Sequence, residues 1–315
     1  MRRLIFPLFL IQVIIVIFTP VKAQKVDSDS ASIIQNRYGL DPTTPLTQRV
    51  RKTSESVLEK FREAGMNPSE HKVTSEEEKI IAEAFATLPP LHQRVLKEHL
   101  RSINFLDNMP NTALTSTINF EDKFTVYDIT IRAAILKQTI SEWLTTKELT
   151  CYDTTHSQTN VFLIAGELNA LVYVLLHETT HVVDGSLKLI SEPSSSVANS
   201  FSAAFTKGIW TARTKLATSL QDSLLLANRF QSGKAMPISY AKKLYQSLAK
   251  TPLLSLYSTS STHEDLAEYL TVYHLTHKLK QPFKIVVEDK QKFVYEPFNS
   301  KLVKSRTKLL EYFYI

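Results

Sequence analysis

Two histidines and a glutamate are the residues whose types and spacing are most clearly suited to chemistry. The segment 177–181 reads HETTH, an HExxH pattern, and it follows an apolar run at 171–176. If the segment is helical, His177 and His181 lie four apart on one face, so both imidazoles can bind a single zinc ion. Zinc lowers the pKa of a coordinated water to about 7, and Glu178 can accept the proton as that water attacks a carbonyl. The motif predicts metal-assisted hydrolysis, most often of a peptide bond.

A catalytic zinc site needs a third protein ligand and an open position for water. The metzincin pattern would place glycine at 184 and histidine at 187, where this chain has Asp184 and Leu187. An aspartate at position 187 as the third ligand is likewise excluded, because this position is Leu187. A glutamate on a later helix remains, and Glu264 and Glu268 lie four apart on one face of a predicted helix. We assign Glu264 as the ligand and Glu268 as the carboxylate that orients a histidine ligand. The reverse assignment fits the same spacing.

Asp184 is predicted to support the site from the same helix. It follows His181 by three residues and His177 by seven, so it shares their face. We expect Asp184 to accept a hydrogen bond from His177. A polar residue at the end of a helix is the alternative interpretation, although an acid there opposes the helix dipole.

Together, the two segments resemble gluzincin zinc metallopeptidases related to the catalytic domain of anthrax lethal factor. HETTHVVDG at 177–185 and HEDLAEYL at 263–270 are similar to that group's HExxHxxD and E-[DF]-[FL]-A-E motifs. The resemblance implies that Glu264 binds zinc and that a tyrosine seven residues earlier, here Tyr257, helps to stabilise the oxyanion. A tyrosine packed in the core beside the neighbouring leucines is the alternative for Tyr257. The resemblance covers roughly residues 103–279.

Periodicity and capping residues predict the elements that must position these side chains. Helices are predicted at 47–65, 74–87, 91–103, 132–146, 167–184, 204–227, 237–249 and 262–280. Gly185 is expected to end the HExxH helix, and Thr262 with Asp265 to cap the later one. A strand is predicted at 120–131, with 124–131 as the edge strand that aligns substrate, and a β-hairpin at 283–295.

These elements predict a mainly helical α+β fold, zincin-like, with a small mixed sheet and an active-site helix. The chain is divided into a signal peptide at 1–23, a flexible leader at 24–46, a helical N-terminal segment at 47–110 and a catalytic domain at 111–315. The catalytic domain is expected to contain a helical insertion at about 190–250.

The N-terminus has the pattern of a secretory signal. Arg2 and Arg3 precede an apolar run at 4–18, and small residues lead to a cleavage site after about Ala23. The run is shorter than the roughly 20 residues that span a bilayer. We therefore expect a secreted or periplasmic protein with no membrane span after cleavage; a chain anchored by an uncleaved signal is the alternative.

Composition limits the remaining classes of function. Loss of Arg2, Arg3 and Lys22 with the signal peptide lowers the formal charge from +6 to +3, too little to indicate a nucleic-acid partner. With six glycines and a single cysteine, Cys151, the chain offers neither a glycine-rich phosphate loop nor an intrachain disulfide. The expected partner is a protein or peptide substrate, and the expected cofactor is one zinc ion.

Two other classes of function are compatible with the sequence. The first is an exported binding or effector protein that keeps the metal site without turnover. The second is a helical structural protein without a metal. Metal content and the effect of Glu178→Gln separate these classes from a peptidase.

Overall fold

Helices and short strands alternate along the computed structural model, which describes residues 28–192 and 199–315. The α-helices are α1 (Ser28–Tyr38), α2 (Glu55–Glu63), α3 (Ser75–Ala86), α4 (Pro90–His99), α5 (Ile140–Leu149), α6 (Ala170–Leu187), α7 (Ser200–Thr206), α8 (Ser223–Ala227), α9 (Arg229–Ser232), α10 (Ala241–Leu248), α11 (Thr262–Tyr273) and α12 (Lys301–Lys304). The strands are β1 (Ser69–Glu70), β2 (Leu100–Asp107), β3 (Ala113–Asn119), β4 (Thr125–Arg132), β5 (Tyr152–Asp153), β6 (Asn160–Ile164), β7 (Trp210–Ala212), β8 (Lys215–Leu216), β9 (Met236–Pro237), β10 (Lys284–Glu288) and β11 (Lys292–Tyr295).

Short 3₁₀- and π-helical segments complete the mixed α+β fold. A 3₁₀ helix at Tyr257–Thr259 leads into α11, and a π-helical turn at His274–Lys278 extends it. The other 3₁₀ helices are Leu46–Arg49, Ala133–Lys137, Thr218–Leu220, Ile238–Tyr240, Pro297–Asn299 and Thr307–Tyr314.

The predicted signal peptide at 1–23 lies outside the described residues. Within them, no helix is both long and apolar enough to cross a membrane.

The largest sheet has four strands in the order β1-β2-β4-β3. Its two inner strands, β2 and β4, run parallel, and the outer strands pair antiparallel with them. The predicted strand at 120–131 corresponds to β4, but the prediction that it is the edge strand was wrong. One edge is β3. β4 lies inside the sheet and is buried on both faces, as the neighbouring residues Val126 and Tyr127 show. The polar threonines of β3 can face solvent instead.

The predicted helical segment at 47–110 contains helices α2 to α4 but also contributes strands to the sheet. The predicted helix at 91–103 ends at His99, where the chain becomes extended and enters β2. Ile103 and Phe105 of β2 are buried, so packing between strands overrides the helical pattern. In its described part, the predicted leader at 24–46 forms α1, and Leu40 is fully buried.

A second sheet joins the predicted β-hairpin to a strand from before the HExxH helix. β10 lies between β11 and β6 and pairs antiparallel with both, so the hairpin prediction is confirmed.

The prediction of one helix at 204–227 was wrong. α7 ends at Thr206, and Gly208, with a φ of +71°, turns the chain into the β7–β8 hairpin. The predicted helical insertion at about 190–250 therefore consists of short helices and a hairpin.

The HExxH segment lies in α6, which passes through the core of the described residues. Its residues from Leu171 to Leu176 are at most 5% exposed, and it packs against α3, α4, α5, α11 and β3. Asn169 caps its start by accepting a hydrogen bond of 2.9 Å from the backbone N–H of Leu171. A buried helix gives its side chains a fixed frame, which is what a metal site requires.

Gly185 does not end α6 as predicted, because the helix continues to Leu187 and its C-cap is Lys188, with a φ of +51°. The glycine is required by packing instead. A Cβ at this position would collide with the hydroxyl of buried Tyr127 and lie 3.2 Å from its ring carbon Cζ. The absence of a side chain lets α6 approach the sheet at the end that carries the motif.

Replacing Gly185 with alanine is expected to lower the free energy of unfolding by about 1–3 kcal/mol, the usual range for overpacking a core. Because the colliding atom is the Tyr127 hydroxyl, the loss should be smaller in a Tyr127→Phe background. Urea unfolding of the wild type, both single variants and the double variant measures this coupling. Equal losses in the two backgrounds would contradict the packing explanation.

Candidate metal centre

Three predicted ligands converge between α6 and α11. Nε2 of His177 lies 2.9 Å from Oε2 of Glu264 and 3.2 Å from Nε2 of His181, and His181 Nε2 lies 3.3 Å from the same Glu264 oxygen. Among the described residues, this is the one group of three or more His, Cys, Asp or Glu side chains whose ligand atoms lie close enough together to hold a metal ion. Ligands at about 2.0–2.1 Å from a tetrahedral zinc lie ~3.3 Å from one another. The donor types and spacing fit zinc.

Glu264 reaches the histidines because it lies in the first turn of α11. The cap of this helix is Ser261, whose hydroxyl accepts a hydrogen bond of 3.2 Å from the backbone N–H of Glu264. The predicted cap by Thr262 and Asp265 was wrong. Asp265 is fully buried and forms an ion pair of 2.7 Å with Arg306, so its carboxylate is held away from the helix start. The helix dipole favours the charge of Glu264 at this end.

The ligands are already paired electrostatically. Burial alone lowers the pKa of His177, but the carboxylates of Glu264 and Glu268 outweigh it and raise the pKa to about 10. Burial raises the pKa of Glu264. The imidazoles of His177 and His181 lower it by more than this, so the pKa of Glu264 lies well below its usual range. A cation is therefore favoured among these donors. Zinc entering the site would displace a proton from His177 at neutral pH.

Glu268 lies behind His177 in a buried polar cluster. Its Oε1 is 3.2 Å from Nδ1 of His177, an ion-pair distance rather than a well-directed hydrogen bond, since Nδ1 has no hydrogen-bond partner among the described residues. Tyr173 and Ser255 donate hydrogen bonds of 3.0 and 2.6 Å to its two oxygens. Glu264 faces both imidazoles and Glu268 only one, which favours the assignment of Glu264 as ligand and Glu268 as the orienting carboxylate.

Lys147, on α5, is a neighbour of the site that the sequence interpretation missed. Its Nζ lies 3.5 Å from Oε1 of Glu268 and 4.1 Å from the centre of the Tyr257 ring. Burial raises the pKa of Glu268, and Lys147, His177 and Ser255 together lower it below its usual range. The lysine balances the second carboxylate and packs under the tyrosine. A separation of more than a hundred residues from both partners leaves no local pattern that would reveal it.

Tyr257 borders the three donors, as its predicted role requires. Its ring stacks on that of His177, with centroids 5.6 Å apart, and it lines the adjoining cleft. Burial raises the pKa of its hydroxyl, and the nearby charges of Glu264, Glu268 and Glu178 raise it further. The hydroxyl therefore keeps its proton and remains a hydrogen-bond donor.

Glu178 faces an open cleft of about 400 Å³ beside the three donors. Its Oε2 accepts a hydrogen bond of 2.6 Å from the hydroxyl of Thr115, on edge strand β3. Thr115 was missed because the strand itself was not predicted; alternating threonines at 115 and 117 were the available signal. This bond fixes one carboxylate oxygen of Glu178.

Asp184 does not accept a hydrogen bond from His177 as predicted. Its Oδ2 lies 2.6 Å from Nδ1 of His263, and its Oδ1 accepts a hydrogen bond of 2.8 Å from the backbone N–H of Ile190. The reason is geometric: Nδ1 of His177 is directed towards α11, where Glu268 lies. Asp184 thus links α6 to the start of α11 through the residue next to Glu264.

Comparison of the chain with protein-family models, curated proteins and solved structures finds no match. The assignment of the site therefore depends on residue types and on the distances given above.

The two glutamates of α11 should differ in their effect on zinc content. We expect one zinc per wild-type chain, loss of stoichiometric zinc in Glu264→Ala, and about 10–100-fold weaker binding in Glu268→Gln, the usual effect of losing an orienting partner. Metal analysis and titration against a chelator measure both. Glu178→Gln is the matched control, because it removes a carboxylate of the same cleft that lies outside the donor triangle. Retention of zinc by Glu264→Ala with loss in Glu268→Ala would reverse the two assignments.

Proposed function

We propose that this protein is an exported, zinc-dependent metallopeptidase of the gluzincin type with a zincin-like fold. The observation that carries the proposal is the position of the Glu264 carboxylate within 3.3 Å of Nε2 of both His177 and His181. The open cleft beside these donors, lined by Glu178 and Tyr257, gives room for a peptide. Export rests on the signal-like sequence at 1–23.

His177, His181 and Glu264 would hold the metal, and Glu178 would transfer protons. When bound, zinc supplies Lewis acidity that polarises the scissile carbonyl and activates water near neutral pH. Because Thr115 occupies Oε2 of Glu178, Oε1 is left to accept the proton from the attacking water. The same carboxyl group would then deliver a proton to the leaving amine.

Tyr257 would stabilise the oxyanion that forms from the carbonyl. Its protonated hydroxyl is the kind of preorganised donor that stabilises developing charge. Stacking on His177 and contact with Lys147 restrict the ring from two sides. Orienting the donor before the reaction reduces the reorganisation required in the transition state.

Edge strand β3 would align the substrate backbone. It pairs with β4 on one side only, so the N–H and C=O groups of its other side can add a peptide strand. Ala113, Leu114, Thr115 and Thr117 of this strand line the cleft. An extended peptide paired here would pass Glu178 and the three metal donors.

Glu178→Gln tests the reaction. Loss of general-base catalysis should lower the hydrolysis of unfolded protein or peptide-library substrates by about 10²–10⁴-fold, while zinc content stays at the wild-type value. Mass spectrometry of the products measures cleavage directly. Removal of zinc by a chelator and its restoration should switch the wild-type activity off and on. An unchanged rate of cleavage in Glu178→Gln would refute the role of this residue, and a zinc-loaded wild type that cleaves nothing would favour a binding protein.

Thr115→Val should lower kcat by about 10–150-fold with little change in KM, because hydrogen bonds to charged groups contribute about 1.5–3 kcal/mol. The valine keeps the shape of the side chain and removes the donor to Glu178. Thr115→Ser should retain most of the activity. Thr117→Val is the matched control, since Thr117 lies on the same strand and lines the same cleft without bonding to Glu178. Equal losses in the two valine variants would indicate a general effect on the strand.

A further inference from the structure

Arg213 is the one arginine or lysine among the described residues that line the cleft. The carboxylates beside it already have partners: Glu264 contacts the imidazoles of His177 and His181, Asp184 pairs with His263, and Glu178 bonds to Thr115. Arg213 is exposed, and across the described residues no carboxylate lies within ion-pair distance of it. A cationic residue that has no carboxylate partner among the described residues therefore borders the predicted path of the substrate.

The backbone of Arg213 is held close to the metal donors. The residue lies in the turn between β7 and β8, and its carbonyl accepts a hydrogen bond of 2.8 Å from the N–H of Thr262, two residues before Glu264. At the base of the hairpin, Nε1 of Trp210 donates a hydrogen bond of 3.0 Å to buried Asp265, which Arg306 holds in place. The hairpin is thus fixed to the first turn of α11. The hairpin that carries Arg213 is therefore hydrogen-bonded to α11 both at its turn and at its base.

We propose that Arg213 binds a carboxylate of the substrate beside the scissile bond. A guanidinium group matches the two oxygens of a carboxylate with parallel hydrogen bonds, and it stays charged across the physiological pH range. The carboxylate can be an aspartate or glutamate side chain or the α-carboxylate of a C-terminus, and both have the same chemistry. The proposal rests on the proposed peptidase function and adds a preference for acidic substrates.

Paired peptides test this preference in binding and in hydrolysis. Each pair differs only by glutamate against glutamine at one position, or by a free against an amidated C-terminus. Affinity is measured by calorimetry on the zinc-loaded Glu178→Gln protein, and kcat/KM on the protein with Glu178 intact. Arg213→Gln should weaken binding of the acidic member by about 10-fold and leave the neutral member unchanged, as for loss of a charge-assisted pair. Arg213→Glu should reverse the preference, and the two kinds of pair distinguish a side-chain carboxylate from a terminal one.

Lys215→Gln is the matched control, because Lys215 is exposed on the same hairpin but does not line the cleft. It should leave both members of each pair unaffected. The proposal is overturned if Arg213→Gln weakens acidic and neutral peptides equally, or if the wild-type site shows no preference for the acidic member. A carboxylate preference in binding, without hydrolysis by the zinc-loaded wild type, would instead overturn the peptidase function and leave the role of Arg213 in place.

Discussion

The contact between α6 and α11 places ionisable groups inside an otherwise apolar interior. His177 and Glu268 are at most 5% exposed there, and a buried charge is strongly unfavourable unless it is paired and hydrogen-bonded. Tyr173, Ser255 and Lys147 supply those partners around Glu268. Because these groups come from separate elements, the polar cluster fixes how the helices pack, and the packing in turn fixes the donors.

The same contact organises both walls of the cleft. One wall is β3, which is linked to α6 through Thr115 and Glu178. The other is the β7–β8 hairpin, which is linked to α11 through Trp210 and Asp265. Each wall is therefore joined to one of the two helices that carry the three candidate donors. A displacement of either helix would move its own donors together with the wall that is bonded to it.

Local patterns in the sequence were sufficient to predict the elements at the centre of the site. They predicted few of the residues that surround it. The HExxH helix, the helix that carries Glu264 and the final hairpin were found because each has a clear period or turn. The pairs Glu178–Thr115, Asp184–His263 and Lys147–Glu268 join residues 63, 79 and more than a hundred positions apart. Periodicity indicates which face of an element is buried but not which element covers it. The error at the edge of the sheet has the same cause.

The inner position of β2 limits how far the chain can be shortened from its N-terminal side without loss of the sheet. β2 is bonded to β1 on one side and to β4 on the other, so its removal would leave one side of the buried strand β4 without backbone partners. The attachment extends further upstream: Arg49 is fully buried and donates a hydrogen bond of 3.2 Å to the carbonyl of Leu100, and the N–H of Arg51 bonds to Ile103. A segment that can be lost from the N-terminal side without breaking these bonds to β2 therefore ends before Arg49.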